Sequence, residues 1–190
     1  VVLGGDVLAY SYARCFNEAY GIVTRVVSGV DVKVTSSSRF TDYRVDPVMG
    51  EGDGAIFAML CDMGRELKAA GKVALLLGSA DWHVRIISRH REELAEWFVV
   101  PYNDFDLLDD ITQKERFYQI CGELGIAYPK TWTFDCADPG VSIDASSFAY
   151  PLVAKPSNSA RYDLMSFDGK EKVYEVAGPA ALERVFDLLR

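Results

Sequence analysis

Residues 151–176, PLVAKPSNSARYDLMSFDGKEKVYEV, end an apolar run in a lysine and a proline and then turn polar. Two-residue periodicity puts Leu152 and Ala154 on one face of a strand and Val153 and Lys155 on the other. Pro156 removes a ladder donor, so regular pairing stops where the ammonium group stands. A lysine there either holds a phosphate as a fixed point charge or is a solvated charge at a strand end. Ser157 and Ser159, with Asn158 between them, offer hydroxyl and backbone donors in a turn beside it. Lys114 presents the same choice on a helix, with Glu115 and Arg116 as neighbours. Two other places have the composition of ligand loops. Gly4-Gly5-Asp6 and Gly78-Ser79-Ala80-Asp81 each follow an apolar run and precede a helix-like segment. In parallel sheets ligands meet the loops after strand C-termini, which makes Gly5, Asp6, Gly78 and Asp81 candidates for substrate contact. The first loop lacks a full GxGxxG, with Ala9 and Tyr10 further on, so its glycines serve equally well as a tight strand-to-helix turn.

These positions need a scaffold, and the apolar pattern supplies one. Residues 1–3 read as a short strand, 7–19 as a helix closed by Gly21, and 22–28 as a second strand. A Ser/Thr loop over 35–41 leads to an extended piece around 43–45. Asp53 is placed to cap a helix over 54–70 that Gly71 ends. Residues 72–77, KVALLL, have the near-continuous apolar character of a parallel strand covered on both faces. A helix carrying Val84, Ile87, His90 and Leu94 follows, then a buried strand over 98–100. Strands alternating with helices predict an α/β domain with a mostly parallel, Rossmann-like sheet over residues 1–105. After Pro101 the character changes. Asp106, Asp109 and Asp110 lie on a short linker helix, near its start. Thr112 is placed to cap a helix over 113–124, with Phe117, Ile120, Cys121 and Leu124 on its apolar face and Gly125 closing it. Strand-like segments follow at 131–134, 151–155, 162–167 and 172–176, and Pro179 starts a last helix. Residues 106–190 thus form a small α+β unit that ends on a helix with no strand to follow, and reads as a fragment.

Composition bounds the partners. The 190-residue chain is 49% hydrophobic and 25% charged, ordinary globular usage for one and a half to two domains. A net charge of -8 argues against an extended nucleic-acid footprint, though not against a local phosphate site. No apolar run approaches the ~20 residues of a membrane span. With no basic leader at the start, a cytoplasmic site is expected, and the absent initiator Met is read as trimming or processing. Cys15, Cys61, Cys121 and Cys136 show no CxxC spacing and are expected as buried free thiols. His83 and His90 share a helix face but lack a third ligand, so they read as ordinary helix histidines. Lys170 and Lys172 read as solvated charge.

The combination of motifs resembles a known family. A helix with Thr112, Lys114, Phe117, Tyr118 and Cys121, then LGIAYPKT, then YPLVAKPS, is similar to the ATP-grasp ligases. More narrowly, LGGDVLAYSYARCFNEAYG, ISRHREEL, PYNDFDLLDDITQKERFYQICGELGIAYPKT and AKPSNSARYDLMSFDGKEKVYEV resemble the D-aspartate ligase type of carboxylate–amine ligase, used in building peptidoglycan cross-bridges. The resemblance implies a pre-ATP-grasp domain followed by the small ATP-grasp subdomain, and it selects the phosphate-holding reading for both Lys114 and Lys155. It also implies ATP and Mg2+ as cofactors, with the magnesium ligands and most adenine contacts on a later subdomain. The partners implied are a small carboxylate and an amine acceptor that the motifs do not specify, and a homo-oligomer is compatible with them. One departure stands out. Many members carry a glycine-rich phosphate loop, whereas here the first glycine after Lys155 is Gly169.

Two alternatives remain open at the level of sequence. One is a carbamoyl-phosphate-synthase-like ligase acting on another small acid. The other is a non-catalytic ligand-binding or sensory module on the same scaffold.

Overall fold

The computed structural model describes residues 1–157, 162 and 165–190. The chain divides into two compact units, Val1–Asp109 and Asp110–Arg190.

The first unit is α/β. Strand β1 (Val2–Leu3) runs into helix α1 (Val7–Tyr20). Asp6 starts that helix by accepting from the N–H groups of Leu8 and Ala9, each at 3.0 Å. Gly21, at φ 67°, ends it. Strand β2 (Thr24–Ser28), helix α2 (Lys33–Ser36) and strand β3 (Thr41–Val45) follow. The expected Ser/Thr loop is therefore partly helical. Thr35 is fully buried there, and its hydroxyl donates to the carbonyls of Gly5 at 2.7 Å and Asp6 at 3.1 Å. Helix α3 (Asp53–Ala69) takes Gly52, not Asp53, as its N-cap. Asp53 sits one residue inside, where Arg89 and His90 engage its carboxylate.

The KVALLL run divides between two ladders. Strand β4 (Ala74–Leu75) pairs with β6 (Phe98–Val99), while β5 (Leu77–Gly78) pairs with β1. Leu76 N donates to Val99 O and Leu77 N to Val1 O, both at 3.0 Å, so one segment joins the ladders. The larger sheet has the order β3-β2-β1-β5, and all of its pairs are parallel. Helices α4 (Asp81–Arg89) and α5 (Arg91–Leu94) lie between β5 and β6. Strand alternation sends Val2 and Val26 to one face, against Ala9 of α1. Leu3 and Val27 face the other side, with Ile56, Leu60, Leu76 and Ile87. Both faces are covered, as a parallel sheet requires. Helix α6 (Phe105–Thr112) carries the chain across the division between units.

In the second unit, α7 (Lys114–Glu123) has Gln113 as its N-cap, and Thr112 closes α6 instead of capping α7. Strand β7 (Leu152–Ala154) pairs antiparallel with β8 (Tyr174–Val176). Helix α8 (Pro179–Leu189) opens on proline and buries Phe186. The expected strand at 131–134 does not form. Its alternate aromatic residues, Trp132 and Phe134, instead meet the Phe148 ring edge-on at 4.9 and 6.3 Å. The expected strand at 162–167 lies partly outside the described residues.

Candidate functional site

The alternation read from the sequence holds at β7. Leu152 and Ala154 are half-buried, whereas Val153 (57% exposed) and Lys155 face solvent. Across the ladder Val153 stands opposite Glu175, which is also exposed, while Tyr174 and Val176 are buried. Lys155 leaves the end of this strand without a hydrogen-bond or ion-pair partner among the described residues. Ser157 is exposed two residues on. Ser159, the other hydroxyl singled out above, lies outside the described residues.

Lys114 reaches the same turn. Its Nζ donates to the carbonyl of Pro156 at 3.0 Å and to that of Ser157 at 3.4 Å. The fold therefore brings a cation from the start of α7 to the backbone that directly follows Lys155. This position is unusual for helix stability, since a cation at the first residue of a helix opposes the dipole. Gln113 supplies no side-chain cap to offset it. The two carbonyls hold the ammonium group just after a strand end whose other cation, Lys155, has no partner among the described residues. Two lysines so placed can balance the charge of a polyphosphate.

The other sequence candidates gather at the C-terminal ends of β1 and β5 in the first unit. Here the glycines are required by close packing. A Cβ on Gly4, at φ 97°, would lie 2.1 Å from Ser79 Oγ and 2.6 Å from His83 Cε1. A Cβ on Gly78 would lie 2.6 Å from His83 Cβ. Gly5 is filled by the Tyr43 hydroxyl, which donates to Val30 O at 2.7 Å. The Asp6 carboxylate is occupied as the cap of α1, and Asp81 is exposed in the first turn of α4. Gly78 N donates to the Tyr102 hydroxyl at 2.9 Å, and burial raises the Tyr102 phenol above its ordinary value.

His83, read from the sequence as an ordinary helix histidine, is buried at this end of the sheet. It is 4% exposed, and burial lowers its pKa from 6.5 to about 4, against the opposing pull of the Asp6 carboxylate. Its Nδ1 accepts from Ala80 N at 3.1 Å, which closes the start of α4 in place of a side chain at Ala80. Spacing on one helix gave no hint of this burial, because the imidazole also packs at Gly4, in the loop after β1 and more than seventy residues earlier. His90 pairs with Asp53 at 2.7 Å and stacks on Phe57 at 4.1 Å. Of the cysteines, all free, only Cys61 and Cys121 are buried, and Cys15 is exposed. Among the described residues no three His, Cys, Asp or Glu side chains gather as a metal site needs, and no helix is long and apolar enough to cross a membrane.

The chain is thus an α/β unit with a mostly parallel sheet, followed by a unit with two lysines at one turn. Among curated proteins the chain is similar to the D-aspartate ligase of Enterococcus faecium (strain Aus0004), at 31% identity over 176 residues. The match covers 92% of this chain and 42% of that ligase. The chain thus spans less than half the length of the relative. No protein-family model matches it, and no solved structure gives a significant match.

Proposed function

We propose that this chain is part of an ATP-dependent carboxylate–amine ligase of the ATP-grasp type, acting on D-aspartate in peptidoglycan cross-bridge synthesis. In this reading Val1–Asp109 is the pre-ATP-grasp domain, and Asp110–Arg190 belongs to the small ATP-grasp subdomain. One observation carries it: the ammonium of Lys114 sits on the carbonyls of Pro156 and Ser157, at the turn that Lys155 opens. Similarity to a D-aspartate ligase over nearly all of the chain supports the same class.

In the proposed reaction a carboxylate oxygen attacks the γ-phosphorus of ATP and ADP leaves. An amine nitrogen then attacks the acyl carbon, phosphate departs, and the nitrogen loses a proton. No covalent protein nucleophile is needed. Lys114 and Lys155 would hold the phosphates and balance charge on the transferring phosphoryl group and leaving ADP. Ser157 would add a donor from the turn, and Ser159, outside the described residues, is proposed for the same role. Magnesium would supply further charge neutralisation, and no ligand for it is assigned among the described residues. Gly5, Asp6, Gly78 and Asp81 would border the small-acid site of the first domain.

The discriminating experiment is ADP release by the full-length protein over a panel of D- and L-amino acids and simple acids. The reading predicts release that depends on D-aspartate. Release driven best by bicarbonate or an unrelated acid would point to a different ligase, and no acid-dependent release at all would sink the enzyme reading.

A further inference from the structure

One buried hydroxyl in the first unit has no hydrogen-bond partner. Ser79 is 9% exposed, and among the described residues its Oγ bonds to nothing. Other hydroxyls at this end of the sheet do have partners. Thr35 donates to Gly5 and Asp6, Tyr43 to Val30, and the Tyr102 hydroxyl accepts from Gly78. Leaving a buried hydroxyl unbonded is costly, and a ligand oxygen removes that cost.

Donors of two other kinds share this edge of the sheet. Because His83 Nδ1 accepts from Ala80 N, the imidazole proton is on Nε2. Among the described residues no hydrogen bond takes up that N–H. Ala80 has no side-chain oxygen, so the first-turn N–H groups of α4 have no side-chain cap, unlike those of α1, which Asp6 caps. The hydroxyl and the imidazole both close over Gly4, and the imidazole also closes over Gly78. That packing leaves no room for a nucleotide laid across the glycines. The loop residues Gly4 to Asp6 and Gly78 to Asp81 include no Lys or Arg but two acids, Asp6 and Asp81. Uncharged donors beside acids suit a single carboxylate that carries its own ammonium group, and they disfavour a dianionic phosphate.

We propose that Ser79 Oγ, His83 Nε2–H and the N-terminus of α4 hold the carboxylate of a small amino acid, with Asp6 and Asp81 facing its ammonium group. The choice of amino acid rests on the ligase reading above, and D-aspartate is the probe.

The 15N-labelled 190-residue chain is titrated with D-aspartate and followed by NMR. Saturable shifts are expected at Gly4, Gly78, Ser79 and His83, including the His83 ring nitrogens. Ser79→Ala should weaken binding about ten-fold or more, a loss on the scale of one hydrogen bond in a dry site, without lowering the melting temperature. His83→Asn, which keeps an acceptor for Ala80 N–H but loses the outward donor, should weaken it similarly. His83→Gln, which keeps the outward amide, should bind within about three-fold of wild type. Succinate, lacking the ammonium group, should bind about ten-fold more weakly than D-aspartate. Shifts absent from the crevice, or Ser79→Ala and His83→Asn binding as wild type, overturn the proposal. So does a lower melting temperature in Ser79→Ala, which would mean that the hydroxyl already serves the fold. The 31P shifts of ATP added to the same samples report on Lys114 and Lys155 separately. Loss of the ATP response with crevice binding intact counts against the ligase reading alone, and the reverse counts against this site alone.

Discussion

At the scale of single residues, Lys114 and His83 each occupy a position that the fold alone does not favour. A cation at the first residue of α7 opposes the helix dipole, and its bonds to two carbonyls are partly exposed. Lys114→Met should therefore change the stability of the chain by less than about 1 kcal/mol in urea unfolding, while weakening ATP binding. His83 is held neutral by burial, with a pKa of about 4 in the folded state against 6.5 ordinarily. Between those values the unfolded chain binds more protons, so stability is full above about pH 6.5 and falls as the pH drops toward 4. The loss attributable to this group is on the order of 3 kcal/mol. Urea midpoints at pH 7 and pH 5 should differ more in wild type than in His83→Asn, and equal differences would contradict the assignment. Lys155 was legible because a strand ending in Lys-Pro points a cation to a known face. His83 was not, since its burial is made by Gly4 and Gly78, and nothing local marks a histidine that a distant strand will cover.

At the scale of elements, glycines divide by what surrounds them. A Cβ on Gly64, within α3, would lie 2.5 Å from Trp97 Cβ and 2.9 Å from Phe98 Cε2. Gly64→Ala should cost about 2–3 kcal/mol through overpacking. Gly54, in the same helix, has nothing within 4 Å, and Gly54→Ala should stabilise by about 0.5 kcal/mol. Urea midpoints of the two variants should move in opposite directions. Helix α1 was readable from its apolar spacing because Asp6 and Gly21 mark both ends. Asp53 and Thr112 were each assigned one residue away from their place in the structure. An acidic side chain is favourable both as N-cap and in the first turn, and a hydroxyl residue is tolerated at a helix end as well as at an N-cap, so composition alone does not separate the positions. What settles Asp53 is its pairing with Arg89 and His90, more than thirty residues away. The segment at 131–134 had the alternation of a strand, but Trp132 and Phe134 use it to reach Phe148. Alternation fixes faces, and a ladder also needs a neighbour.

At the scale of the whole molecule, the chain combines a parallel α/β unit with a second unit that presents two lysines at one turn, and it spans 42% of the ligase to which it is similar. On the proposed reading, the 190-residue chain binds ATP weakly and does not turn it over, whereas a protein of the relative's length does. ATP hydrolysis by the 190-residue chain at the rate of the longer protein would contradict that division of labour. The alternation of strands and helices was legible over most of the first unit because each buried face has its own period. The meeting of Lys114 with the turn after Lys155 was implied by a resemblance, not by periodicity, since no local rule brings the start of one helix to the end of a distant strand. The central claim is that these two lysines hold the phosphates of ATP. Its most direct test is D-aspartate-dependent ADP release by the full-length protein carrying both Lys114→Met and Lys155→Met. The account predicts a fall of about 100-fold or more in kcat/KM for ATP, with the folded state retained. ADP release at the wild-type rate would contradict it.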